Sequence, residues 1–275
     1  MKSINVFARW RSLFASSKRV SLSVTCVVAA SLASPASAMR IEILESPFTP
    51  VIDMQGTIEA GDTARLERQL SSIRLPTPPA DHRTVEMIVV IESNGGNVAE
   101  AIKLGRFLRK HNASISPSKT CASSCIFVLA AGIVRSGNAR LVIHRPFGTE
   151  VARQPASGTM RKVEQELGGY FREMNMPSRL VDLIFSIAPE DAYELNEAEK
   201  SELRLNQMDI EYAEELSTYN ARVSGLSRTE YMRRLRVLRN KNDQCFNNRT
   251  SSLHTLQCLN TAKAQLGLRG DYEDL

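Results

Sequence analysis

Between Val85 and Ile91 the chain reads Val-Glu-Met-Ile-Val-Val-Ile, an almost unbroken apolar run of the kind expected of a parallel strand buried on both faces. Glu92-Ser93-Asn94-Gly95-Gly96-Asn97 follows it, and then Val98, Ala101, Ile102, Gly105 and Leu108 fall at the spacing of one helical face. The order recurs downstream: a short strand near Ser114-Ile115-Ser116, a tight turn, an apolar helix from about Ser123 to Gly132, and a strand at Leu141-Val142-Ile143. Such alternation predicts stacked α and β layers, an α/β fold.

Flanking segments fit that reading. Val51 to Gln55 reads as a strand ending at Gly56, and Asp62 to Leu70 as a helix capped by Asp62. Pro76, Pro78 and Pro79 mark a loop before the Val85 strand. A longer amphipathic helix carries Met160, Val163, Leu167, Tyr170, Phe171 and Met174 on one side and ends near Asn175, ahead of Pro177. From about Asn206 the chain turns helical and charged, with Arg228 to Asn240 especially basic. Residues 39–208 are therefore read as the α/β domain and residues 209–275 as a small C-terminal helical appendage. In that appendage Tyr231, Leu235 and Leu238 read as packing residues and the arginines around them as a solvated face.

Residues 1–38 read as a secretory signal, with Lys2, Arg9, Arg11, Lys18 and Arg19, no acidic residue, an apolar stretch from Val20 to Leu32, and Pro35-Ala36-Ser37-Ala38 at the cleavage position. The rival, an uncleaved anchor, asks for a longer apolar run than this one. Without the leader the chain carries 30 basic and 30 acidic residues, so the net charge of +5 gives no argument for nucleic acid or an anionic membrane. A periplasmic or secreted protein without stable membrane insertion is expected. Four cysteines then remain, Cys121, Cys125, Cys245 and Cys258. An even number in an oxidising compartment suggests two disulfides; three connectivities are open, the local pairs being the simplest. A zinc site is the rival, but neither pair has CxxC spacing and only His254 lies nearby. Sequons stand at Asn112 and Asn248.

Three stretches lie where strands end: Glu92 to Gly96, Cys121-Ala122-Ser123-Ser124-Cys125, and Leu141-Val142-Ile143-His144-Arg145-Pro146. The carboxyl ends of parallel strands form the usual ligand crevice. Paired glycines there let backbone N–H groups face a ligand. Taken singly, the glycines are a tight turn, Ser123 an N-cap and His144 a core histidine.

Taken together and in order, the three stretches resemble the ClpP/crotonase superfamily, the Clp-type serine proteases above all. Ser93-Asn94-Gly95-Gly96 is similar to the family's Ser-Pro-Gly-Gly. Ala122-Ser123 with Phe127-Val128-Leu129-Ala130-Ala131-Gly132 is similar to its nucleophile helix, and Ile143-His144-Arg145-Pro146 to its Ile-His-Gln-Pro. The resemblance covers about residues 48–208, with Leu195 to Leu205 similar to the segment that closes the domain. It implies a layered β-α superhelix and a serine peptidase with Ser123 as nucleophile, His144 as general base and the N–H groups of Gly96 and Ser124 as the oxyanion hole. The third triad position has no clean register: Asp182, Glu190 and Asp191 are all near, and Asp191 is taken. Asn94 replaces the family's proline, and two cysteines bracket the nucleophile. A Cys121–Cys125 bridge would fix the turn that aims Ser123, since residues four apart on a helix lie within disulfide reach.

Rival chemistries are a Cys125 thiol nucleophile, which needs an unpaired cysteine, and a serine–lysine dyad through Lys119 or Lys110. Action on coenzyme A thioesters, as in the crotonase branch, is not expected outside the cytoplasm. No Walker-type phosphate loop is present, so the expected substrate is a peptide or unfolded protein, with no metal, cofactor or nucleotide. Relatives form rings, so a homo-oligomer is compatible with the resemblance. A binding module that keeps the fold without turnover is the non-enzymatic alternative.

Overall fold

The computed structural model describes residues 38–44, 49–73, 75–77, 79–136, 138–147, 158–247 and 252–269; positions 1–37 of the expected leader and the Asn248 sequon lie outside them. The first half of the chain runs β1 (Arg40–Leu44), β2 (Val51–Gln55), α1 (Asp62–Leu70), β3 (Met87–Ser93), α2 (Val98–Lys110), β4 (Ala113–Ala122), α3 (Cys125–Ala130), β5 (Val134–Arg135) and β6 (Arg140–Ile143). There follow α4 (Gly158–Glu173), α5 (Ser178–Ser186), a 3-10 turn at Pro189–Asp191, β7 (Tyr193–Glu194), α6 (Glu197–Glu202), α7 (Ile210–Val223), α8 (Arg228–Asn247) and α9 (Ser252–Gln265).

The protein is a mixed α/β structure with a seven-stranded, mostly parallel sheet in the order β1-β2-β3-β4-β6-β7, and β5 also pairs with β4. The antiparallel pairs lie at the two edges, β1 on β2 and β7 on β6. β4 is ten residues long, where a short strand around Ser114 to Ser116 is predicted, because it serves three partners. Along one side it pairs with β3; on the other, Ser114 and Ile115 pair with β5 and Thr120 to Ala122 with β6. Pro117 cannot donate to a ladder, and just beyond it the β3–β4 register slips, from Ile91 opposite Pro117 to Ser93 opposite Cys121.

β3 differs from the expectation of burial on both faces. Met87, Val89, Ile91 and Ser93 are buried while Ile88, Val90 and Glu92 between them are only half-buried. A sheet covered well on one face produces this alternation. The covered face packs on the helices, with Leu66, Leu104, Leu108, Phe127, Tyr170 and Phe171 in the same buried cluster. Local capping also departs from the sequence reading at α1. Gly61, at φ 97°, occupies the N-cap, and Asp62 Oδ2 instead accepts from Glu59 N at 2.8 Å. At α2, Asn97 Oδ1 accepts from Glu100 N at 2.9 Å, an ordinary N-cap. α4 stops at Glu173 rather than Asn175; Asn175, at φ 56°, turns the chain, with Met176 N–H on Phe171 O at 2.9 Å.

The helical tail docks on the core through α7. Tyr212 and Leu216 pack on Ile133 and Val134, and Arg83 binds Glu215 at 2.6 Å. α8 and α9 form a hairpin with its own buried cluster, including Tyr231, Leu235, Leu238 and Ala262 as the sequence predicts for the first three, and the Cys245–Cys258 disulfide staples it. The Asn112 sequon is half-buried, its amide donating to Glu86 Oε1 at 2.9 Å.

A buried charge joins tail to core. Asp209 is fully buried, accepts from Arg109 Nη2 at 2.7 Å and caps α7 by accepting from the N–H groups of Glu211 and Tyr212. Burial alone would raise its pKa, but the Arg109 hydrogen bond and charge, helped by the Tyr212 N–H, hold it below the usual carboxylate value. Arg135 is buried nearby; burial pulls its pKa down to about 10, and its Nη1 donates to Ala130 O at 2.9 Å and Gly132 O at 3.0 Å, holding the end of α3.

A depressed carboxylate contributes stability above its unfolded value and loses it as pH falls through the folded one. The Asp209 contribution is therefore complete above the ordinary value of 3.8 and disappears on acidification below it. Asp209→Ala, which strands Arg109 and uncaps α7, is expected to cost about 3 kcal/mol or more by urea denaturation of the oxidised protein. That loss should shrink as the pH is taken below the carboxylate range, leaving the smaller cost of the lost cap.

Candidate functional site

The parallel ladder between β4 and β6 brings two of the three sequence stretches to one place. Cys121 faces Leu141 and Ala122 faces Val142, and the Ser123 N–H extends the ladder by donating to Val142 O at 2.9 Å. Neighbouring strands lie about 4.8 Å apart. Ser123 and His144 thus follow the ends of two neighbouring strands at the sheet's carboxyl edge, His144 one residue further along than the position opposite Ser123. The pairing of Ser93 with Cys121 carries the glycine turn to the same edge.

In that turn Gly95 N–H donates to Ser93 Oγ at 3.0 Å, Gly95 O accepts from Ile58 N at 2.9 Å, and Ile58 O accepts from Asn97 N at 2.8 Å. Both glycines adopt left-handed φ values, 97° and 146°. A Cβ on Gly95 would stand 2.7 Å from Ser123 Cβ and 2.8 Å from Ala122 O; one on Gly96 would stand 2.2 Å from Ile58 O. Only glycine permits the turn to press so closely on Ser123 from one side and on Ile58 from the other. The pairing of Gly96 with the Ile58 backbone is a contact that sequence reasoning missed, and nothing in the residue types around Ile58 signals it.

Ser123 is half-exposed, at φ 55°, and it precedes the helix instead of opening it: α3 starts at Cys125, with Ser124 as its N-cap residue and no side-chain cap. Ser124 Oγ instead donates to Gly96 O at 3.2 Å. Neither Gly96 N–H nor Ser124 N–H has a hydrogen-bond acceptor among the described residues. Gly96 is exposed, whereas Ser124 is fully buried.

Cys121 and Cys125 form a disulfide with Cα atoms 5.2 Å apart. Its geometry corrects the helical argument: Cys121 belongs to β4 and Cys125 to α3, so the bridge closes a strand-to-helix corner around Ser123. With Cys125 oxidised it has no thiol, and with both pairs bridged there is no thiolate zinc site; no group of three or more His, Cys, Asp or Glu arranged for a metal occurs among the described residues. Lys119 pairs with Glu92 at 3.2 Å, and Lys110 ends α2 beside the start of β4, the strand's length away from Ser123. The structure brings neither lysine to the serine.

His144 is half-buried, and its Nδ1 lies 3.0 Å from Arg145 O. A carbonyl only accepts, so Nδ1 bears the proton in the neutral ring and Nε2 carries the lone pair, the tautomer a general base requires. No hydrogen bond joins His144 to Ser123 among the described residues. The segment predicted to supply the acid does run alongside, since Ile143 pairs with Tyr193 and Arg145 N–H donates to Ile187 O at 2.9 Å. Asp191 lies on that segment but is exposed, and neither it, Glu190 nor Asp182 hydrogen-bonds His144. The Arg145 carbonyl is the orienting group that sequence reasoning missed; every residue carries a carbonyl, so no residue type marks it. Beside the glycine turn an open depression of about 540 Å³ is lined by Arg40, Gln55, Thr57, Glu92, Asn94 and Thr120.

No protein-family model and no curated protein sequence matches the chain. Among the described residues, no helix is long and apolar enough to cross a membrane.

The two strain sources at the glycine turn can be separated. Gly61 has the same φ, 97°, as Gly95, but a Cβ there meets nothing within 4 Å. Gly61→Ala is expected to cost only the left-handed penalty of about 1–2 kcal/mol, and Gly95→Ala to cost visibly more, read as the difference in urea midpoints. Equal losses would mean that Ser123 is not held against the turn.

Proposed function

We propose that the protein is an exported serine peptidase of the ClpP/crotonase superfamily that hydrolyses peptide bonds without ATP, metal or cofactor. The observation that carries this reading is the ladder ending in the Ser123 N–H to Val142 O bond at 2.9 Å, which sets an alcohol and an imidazole on adjacent strand ends beside two glycines. In the reaction, His144 Nε2 takes the Ser123 proton as Oγ attacks the peptide carbonyl. The oxyanion meets the Gly96 N–H, with the Ser124 N–H as the second donor. His144 then gives its proton to the departing amine, and water releases the acyl group by the same steps in reverse order. The Arg145 carbonyl holds the imidazole in register from the start, and Asp191 takes the third place only if its carboxylate turns inward. Short peptides or unfolded segments are the proposed substrates. The two disulfides support an oxidising compartment.

The second reading, a binding module with this fold and no turnover, draws on the buried Ser124 and on a His144 that hydrogen-bonds no carboxylate among the described residues. Fluorophosphonate labelling separates the two. A peptidase labels in the wild type and in Ser124→Ala that remains folded but not in Ser123→Ala, while His144→Gln slows labelling by about 100-fold or more. Absence of labelling in the folded wild type favours the binding module. Because a carbonyl already orients the ring, Asp191→Asn is expected to change the rate less than about 10-fold; a loss as large as that of His144→Gln would assign the third place to Asp191.

A further inference from the structure

Four residues other than glycine have left-handed backbones among the described residues: Asn112, Ser123, Asn175 and Arg204. Asn112, Asn175 and Arg204 each stand two residues beyond a helix end, where a left-handed residue is an ordinary way to leave a helix. Ser123 has no such reason. It stands between a strand and a helix, and a right-handed Ser123 would let α3 continue backwards by two residues. The ends of that corner are Cys121 and Cys125, joined covalently with Ser123 as the middle residue of the ring. Both cysteines are fully buried, so the bridge is anchored in the core of β4 and α3 and cannot follow the turn if the turn moves. The remaining restraints among the described residues are soft by comparison: hydrogen bonds, with Ser123 N–H on Val142 O, Ile126 N–H on Ser123 O and Ser124 Oγ on Gly96 O among them, and a van der Waals contact with Gly95.

We propose that Cys121 and Cys125 are positioning residues for Ser123, and that their oxidation is the step that makes the nucleophile ready, so that a reduced chain folds with its serine turned out of line. This rests on the peptidase reading for its consequence, though not for its geometry. In the step, two thiols lose two protons and two electrons to a protein disulfide of the oxidising compartment, which becomes a dithiol as the S–S bond forms. A chain still in a reducing compartment would then be held without activity.

The test compares the full chain with Cys121→Ala/Cys125→Ala and, as control, Cys245→Ala/Cys258→Ala, each checked for folding by near-ultraviolet circular dichroism. A Cys121→Val/Cys125→Ala pair refills the buried volume where the first variant fails to fold. Two readings are taken, the rate of fluorophosphonate labelling and the hydrogen-exchange protection of the Ser123 amide, which donates to Val142 O. The expected result is a folded core-pair variant that labels at least 10-fold more slowly and exchanges the Ser123 amide at least 10-fold faster, with the tail-pair control unchanged in both. Wild-type labelling and protection in the folded core-pair variant would overturn the proposal. If the wild type itself never labels, the peptidase reading falls, and the amide alone decides: retained protection overturns the positioning role, and lost protection supports it.

Discussion

The hydrogen-bonded ladders of β4 organise the rest of the molecule. As a central strand β4 is paired along both sides, with one long partner, β3, on one and two short ones in succession, β5 and β6, on the other. Pro117 separates the two halves by breaking the ladder where the partner changes. The division has a functional side. The β5 half receives the helical tail through Tyr212 and Leu216, and the β6 half ends in Ser123. From Ile115 to Ser123 the chain advances roughly 25 Å in extended form, so the tail docks far from the candidate nucleophile along this strand and anchors the sheet's other end.

Charge burial completes that anchoring. Asp209 is the first residue of the tail's approach to α7 and is buried together with Arg109 from α2, while Arg135 from β5 reaches back to the last carbonyls of α3. An isolated buried ion would be prohibitive, and the mutual pairing with helix-end dipoles makes it tolerable. The same α3 is held by Tyr170, whose hydroxyl donates to Phe127 O at 2.6 Å and leaves room at Gly105 for no larger residue. α3 is therefore fixed at its far end by Arg135, along its length by Tyr170, and at its start by a disulfide.

At the candidate site the economy is in backbone groups. Among the described residues no carboxylate hydrogen-bonds the imidazole, and a carbonyl sets its tautomer; the two glycines contribute by lacking Cβ atoms, which lets one strand end approach another to contact distance. Those features are invisible to a residue-type motif.

Sequence alone determined what depends on neighbours along the chain. The bounds of α1 and the start of α2 follow from helical spacing and from Asn97, the glycine turn from Gly95-Gly96, and the helical character of the tail from its apolar spacing. Tertiary structure decided everything that rests on pairing between distant segments: the ten-residue length of β4, the half-burial of alternate β3 residues, the delayed start of α3, and the roles of Ile58, Arg135 and Asp209. Periodicity reports only the average environment of one element. Register, close approach and the partner of a buried charge depend on which other element arrives beside it, and that is settled by the collective packing of the sheet and its helices.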